Sequence, residues 1–200
     1  MNKREEAQAV LAKAKAKEKR TKILTISIAA AAILAIAVPT AVVLSGAAQK
    51  KAEVQSAAKA PIDGVQNYTI GTVQHTQNPV TYPQKPGVGG DHFPVWKNCG
   101  IYTEPVQETA AVHSLEHGAV WITYDGISDA DVKALNEVVG DRTYMLLSPF
   151  PGQGGKIKLS AWGEQLSVDS PTDPRIATFI TKYRQGPQTP EPGAACTGGI

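Results

Sequence analysis

The hydrophobic pattern of this chain changes character twice. From Ile23 to Leu44 (ILTISIAAAAILAIAVPTAVVL) no position is charged, and only Thr25, Ser27, Pro39 and Thr40 interrupt the apolar run. As a helix rising about 1.5 Å per residue, such a run reaches roughly 33 Å, enough to cross a hydrocarbon core of about 30 Å. The pattern predicts one transmembrane helix over 23–44, in which a proline is tolerated when neighbouring groups satisfy the backbone. Residues 45–63 are rich in Ala, Lys and Gln and pass through Pro61, the composition of a linker or helical stalk. From residue 64 onward, short apolar runs alternate with turn residues, as expected of a folded domain over 64–200.

Within that domain the periodicities predict a strand from Val65 to Val73, then a long Pro- and Gly-rich loop over 75–105. Loops of that length in compact domains are usually functional or disordered. Tyr82, Phe93, Trp96 and Tyr102 argue that this one packs. A short helix follows from about Pro105 to His117, with Pro105 suited to a first helical position and Gly118 to the C-terminal cap. Ala119 to Tyr124 reads as a strand. Ser128 reads as the cap of a helix that runs to Val139 and stops at Gly140. Thr143 to Leu147 and Ile157 to Trp162 read as further strands. Asp173-Pro174 opens a final amphipathic helix to about Arg184, with Ile176, Phe179, Ile180 and Tyr183 on one face. The fold class is α+β, close to α/β: one transmembrane helix plus a soluble domain in which helices pack on a mixed sheet. The order of elements matches a thioredoxin-like core. No Cys-x-x-Cys is present, so thioredoxin-type redox chemistry has no support.

Charge orients the apolar run. Residues 1–22 hold eight Lys/Arg against three Glu, a local +5, whereas the other 178 residues hold 12 basic and 15 acidic groups. The positive-inside rule then places 1–22 as a basic cytoplasmic tail and the domain outside the cytoplasm, anchored in the cell membrane by a single pass. The basic residues belong to the tail, so the domain carries no nucleic-acid footprint. A cleaved signal peptide is the competing reading, with Ser45-Gly46-Ala47-Ala48 as the cut site, but the run and its basic head are both longer than a signal peptide needs. The chain has two cysteines, Cys99 and Cys196. An even count in an oxidising compartment favours a disulfide between them. As a free thiol, Cys99 could instead act as a nucleophile beside a histidine.

The candidate chemistry lies in the histidines. All four, His75, His92, His113 and His117, fall between residues 75 and 117. In His113-Ser-Leu-Glu116-His117 the two imidazoles stand at i and i+4, about 5–6 Å apart on one helix face. At 100° per residue Val106, Ala110, His113 and His117 share a stripe, and Ala111, Val112 and Leu115 lie opposite. If that apolar side packs on the sheet, the histidine stripe faces the loop that carries His75 and His92. The expected metal set is therefore His75, His92, His113, His117 and Glu116, with Asp91 able to ligate or orient a ligand. Zinc is the first expectation, copper the alternative, since imidazole and carboxylate donors suit both. Equally open is a purely structural role, in which the rings fasten the Pro-rich loop through backbone carbonyls.

His-x-x-Glu-His also matches the inverted zinc-peptidase signature. Here the helix stops at Gly118, and no second helix clearly offers the third ligand, although Glu137 and Glu164 exist. Three functional classes are thus carried forward: a metal-binding extracytoplasmic domain, a non-catalytic binding or assembly module tethered to the membrane, and a metal-dependent hydrolase. The stretch HTQNPVTYPQKPGVGGDHFPVWKNCGIYTEPVQETAAVHSLEHGAVWITYD, with Ala161-Trp162-Gly163 and the tail PEPGAAC, closely resembles the signature of the domain of unknown function 3105 family. The resemblance spans roughly residues 65–197. It implies a mostly bacterial, membrane-anchored protein with those domain boundaries, and it transfers neither an activity nor catalytic residues.

Overall fold

The structure is a computed structural model that describes residues 13, 15, 17–20, 22, 49, 52–53 and 55–200. It divides into two units, Met1–Ala52 and Glu53–Ile200. In the first unit the described residues are helical and exposed, with a Lys22–Glu18 ion pair of 2.8 Å one turn apart. The apolar run 23–44 lies outside the described residues. Among those that are described, no helix is long and apolar enough to cross a membrane.

The second unit is built on one mixed sheet of six strands in the order β1-β6-β5-β3-β4-β2. The strands are β1 (Val65–Asn67), β2 (Gly100–Ile101), β3 (Val120–Tyr124), β4 (Met145–Pro149), β5 (Ile157–Ala161) and β6 (Glu164–Val168). Helices α1 (Glu108–Glu116), α2 (Asp129–Val139) and α3 (Pro174–Tyr183) accompany them. Strands β2, β3 and β4 run parallel to one another, β5 lies antiparallel to β3, and β5 and β6 form a hairpin.

The period-2 alternation of the central strands feeds two cores, one on each face. Val120 and Ile122 of β3, with Met145 and Leu147 of β4, join Leu135 and Val139 of α2 and Ile176, Phe179 and Ile180 of α3. Trp121 and Leu146 point the other way, onto Ala111, Val112 and Leu115 of α1 and onto Tyr82 and Trp162. At about 25 cal/mol per Å² of apolar surface, each large side chain buried in this way contributes roughly 1.5–3 kcal/mol.

The helix ends follow their capping residues. Ser128 accepts from Asp131 N at 3.2 Å, and Gly140 closes α2 with φ +50°. Asp173 accepts from Arg175 N at 2.9 Å, with Pro174 behind it. The first helix starts later than expected: Pro105 stays outside it, because Gln107 is still extended, with φ −62° and ψ 112°. The strand expected over 65–73 shrinks to three residues. After Tyr68 N donates to Gly163 O the chain leaves the edge of the sheet. The domain's packing also begins before Gly64, since Ile62 is part of the larger core.

The loop over 75–105 is packed rather than loose. Tyr82 is buried, and its hydroxyl donates to Asp91 O at 2.7 Å. Residues 75 and 92 form an isolated parallel bridge, in which His92 N donates to Gln74 O and Thr76 N to His92 O. The loop then runs along α1, with Lys97 N donating to Ala110 O and Ser114 Oγ donating to Lys97 O.

Candidate metal centre

Three features bring His75, His92 and His113 together. The bridge between residues 75 and 92 sets two imidazoles side by side, ring centroids 4.9 Å apart. Helix α1 lays its apolar side on the sheet and turns His113 toward that pair, 4.8 Å from His75 and 4.6 Å from His92. The β5–β6 hairpin turns on Trp162-Gly163 and places the Trp162 ring edge-on to His92, centroids 6.1 Å apart. Glu116, one turn after His113 on α1, extends its carboxylate into the middle.

The two nitrogens of each buried ring play different parts. Nδ1 of His92 faces Gly90 O at 2.8 Å, and Nδ1 of His113 faces Phe93 O at 2.7 Å. A carbonyl can only accept, so both Nδ1 atoms carry the proton, and in the neutral rings Nε2 is left with a lone pair. Those Nε2 atoms converge on one oxygen. Glu116 Oε2 stands 3.1 Å from His92 Nε2, 3.9 Å from His75 Nε2 and 4.0 Å from His113 Nε2. His92 Nε2 is fully buried and has no hydrogen-bond partner, since with the proton on Nδ1 it and Oε2 are both acceptors.

This arrangement is electrostatically incomplete on protein groups alone. Glu116 is buried, and among the described residues no Lys or Arg nitrogen lies within 4.0 Å of its carboxylate. Burying a carboxylate without a cation costs several kcal/mol, and imidazole lone pairs aimed at it raise that cost. A proton on one ring relieves one contact only. Burial holds His113 down to about 4, partly offset by its bond to Phe93, with His92, His117 and His75 pushing the same way as burial. His113 is thus neutral and ready to donate a lone pair at neutral pH. A divalent cation among the four donors satisfies all of them at once. One ligand atom from each of His75, His92, His113 and Glu116 lies within 4.8 Å of the others. Tetrahedral donors at zinc bond lengths stand about 3.3–3.4 Å apart, so His75 and His113, at 3.9 and 4.0 Å from Glu116 Oε2, must each draw in by about 0.5–0.7 Å to close the set. Backbone carbonyls on the far nitrogens are the usual supports of metal-binding imidazoles. Three of the donors are buried, and the His75 side chain is 54% exposed, so the centre opens on that side.

Not every residue expected at the site belongs to this group. His117 is turned away from it: its Nδ1 donates to Ala195 O at 2.6 Å, and its Nε2 stands 3.6 Å from Glu191 Oε2. The i, i+4 pair therefore divides between two groups of donors, and Glu116 belongs to both. Asp91 serves the scaffold, accepting from Gln74 N at 2.9 Å next to the bridge between residues 75 and 92. Glu137 lies on α2 and Glu164 on β6, neither in a converging group. The loop-fastening role and the converging lone pairs coexist, one on each nitrogen. Glu191 was not foreseen from sequence; its only signal there is a lone acidic residue in a Pro/Gly-rich tail.

Cys99 and Cys196 lie at disulfide distance, Cα atoms 5.3 Å apart, and no free cysteine remains for nucleophilic chemistry. Cys99 N donates to Cys196 O at 2.7 Å, so the tail is joined beside the cysteines as well as through them. No curated protein and no solved structure matches the chain. One family model does, over residues 74–198, an interval that takes in every histidine, Glu116, Glu191 and both cysteines. The chain belongs to that family, which is described as protein of unknown function (DUF3105).

Proposed function

We propose that this chain is a membrane-anchored, extracytoplasmic domain that holds a transition metal, zinc first, through His75, His92, His113 and Glu116. The observation that carries the reading is the convergence of three Nε2 atoms on Glu116 Oε2 within 4.0 Å, with His92 and His113 held by carbonyls behind them. Three imidazoles and a carboxylate suit Zn²⁺ without redox demands, and Cu²⁺ competes at such nitrogen-rich sites. The reading extends to holding a metal and not to hydrolysis: Glu116, the base that a peptidase of the inverted motif requires, is itself drawn among the imidazoles. Anchoring rests on the uncharged run 23–44 behind a basic tail. The strand order β4-β3-β5-β6, with a parallel pair followed by an antiparallel hairpin, supports the thioredoxin-like reading of the core. A turn, not a helix, joins β4 to β5 here.

Elemental analysis and Zn²⁺ and Cu²⁺ titration of the full chain, purified without a histidine tag, test the proposal. At least one saturable equivalent is expected, and Glu116→Gln and His92→Gln each weaken it by about 10-fold or more. Less than about 0.1 metal per chain with no saturable binding below millimolar overturns it in favour of a metal-free binding module.

A further inference from the structure

His117 is prepared as a ligand in the same way as His113, but for another position. Its ring is buried and lies against Trp96, centroids 5.0 Å apart. With Nδ1–H engaged by Ala195 O, Nε2 presents a lone pair. What it faces is a second acceptor, Glu191 Oε2 at 3.6 Å, beyond hydrogen-bond reach. Glu191 is not there by accident of a floppy tail. Its backbone N–H donates to Glu116 O at 3.1 Å, which pins residue 191 to the end of α1. Ala194 N donates back to Glu191 O at 3.2 Å, and the Cys99–Cys196 link holds the tail just beyond. One ligand atom from each of Glu116, His117 and Glu191 lies within 4.8 Å of the others. Among the described residues no Lys or Arg nitrogen comes within 4.0 Å of the Glu191 carboxylate. Three acceptors, two of them buried, therefore converge without a protein donor among the described residues.

We infer that Glu116, His117 and Glu191 form a second divalent-cation position, joined to the first through the Glu116 carboxylate. The inference rests on the proposed function of the neighbouring site. A carboxylate shared between two donor sets is how paired ions about 3.5–4 Å apart are commonly held. The rings that serve the two positions are neighbours, His113 and His117 centroids standing 4.6 Å apart. The two positions differ in chemistry. The first offers three imidazoles and one carboxylate. The second offers one imidazole and two carboxylates, and the Glu191 side chain is 55% exposed. Fewer nitrogen donors and an exposed ligand make it the weaker position, with faster exchange and more tolerance of oxygen-preferring ions such as Mn²⁺.

Equilibrium dialysis of the full chain against Zn²⁺, for the wild type, Glu191→Gln and His92→Gln, distinguishes the possibilities. The wild type is expected to hold about two ions in a tight and a weak step. Glu191→Gln removes the weak step and leaves the tight one, whereas His92→Gln weakens the tight step about 10-fold or more. A wild type that saturates at one ion, or a Glu191→Gln variant that keeps both, overturns the second position and leaves the first standing. A wild type that holds none overturns both. Electron paramagnetic resonance of the Co²⁺-loaded wild type is an independent measure, free of any folding effect of substitution. Ions sharing a carboxylate couple and lose signal per ion once the second binds. Undiminished signal per ion at double loading also overturns the inference.

Discussion

At the scale of single residues, each of the three buried imidazoles, His92, His113 and His117, gives one nitrogen to a backbone carbonyl and leaves the other facing a carboxylate. The division has a consequence for stability. His113 titrates near 4 in the fold and near 6.5 in an unfolded chain, mainly because burial disfavours its charged form. Between those values the unfolded state binds more protons, so the fold gains stability as pH rises through the window and gains nothing further from this group above it. The chelator-treated chain should keep a level melting temperature above pH 6.5 and lose stability steadily down to about pH 4. His113→Gln should flatten part of that slope; an unchanged slope would show that His113 does not control it. The residue types were legible in the sequence, since four histidines in one segment with Glu116 among them stand out in this composition. Their grouping was not. Helical spacing puts His113 and His117 on one stripe, but which nitrogen a ring offers depends on the carbonyl behind it. Those carbonyls belong to Phe93 and Ala195, far apart in the chain.

At the scale of elements, what carried a local signal was readable. Ser128, Gly140 and Asp173 mark helix ends through short-range hydrogen bonds that sequence encodes directly. Strand β6 escaped notice because Glu164 and Gln165 open it with polar side chains. Gln165 is buried all the same, its Nε2 donating to Pro86 O at 2.9 Å and to Ser160 Oγ at 3.0 Å. Strand β2, two residues long, has no period to read. The Pro/Gly-rich tail offers no period to read, and its one long-range signal in the sequence is Cys196. In the fold it is an element in its own right: Asn98 N donates to Ile200 O, Ile200 N to Trp96 O, and Gly199 N to Asn98 Oδ1. The link closes a separation of 97 residues. Chain-entropy reasoning gives about 4.7 kcal/mol for a loop near 100 residues, and removal of native links typically costs about 2–5 kcal/mol. Cys99→Ser should therefore lower unfolding free energy by a few kcal/mol in denaturant titration. A variant as stable as the wild type would mean that the backbone bonds alone secure the tail.

At the scale of the whole molecule, the sequence separates a basic, apolar N-terminal part from a domain with slight negative charge, so the proposed anchoring and the proposed metal binding rest on different parts of the chain. A reporter active only outside the cytoplasm, fused after Ile200, should be active, and one that requires the cytoplasm should be silent. The reverse would refute an orientation that rests on eight basic against three acidic residues before Ile23. The sheet's mixed character was foreseeable from alternating strands and helices, but the pairing of β2 with β4 and β1 with β6 depends on long-range closure that no local pattern records. One of those long-range contacts bears on how the protein is made. His117 finds its acceptor 78 residues later, at Ala195, and Glu191 reaches Glu116 only when the tail doubles back. The donors of the proposed first position all lie before residue 118, but α1 is held against them by Trp121, Leu146 and Trp162, and those of the proposed second are complete only with residue 191. Both proposed positions thus wait on chain made after their first ligands, and the second waits the longer: a chain cut short before residue 191 would keep the donors of the first and lack one of the second.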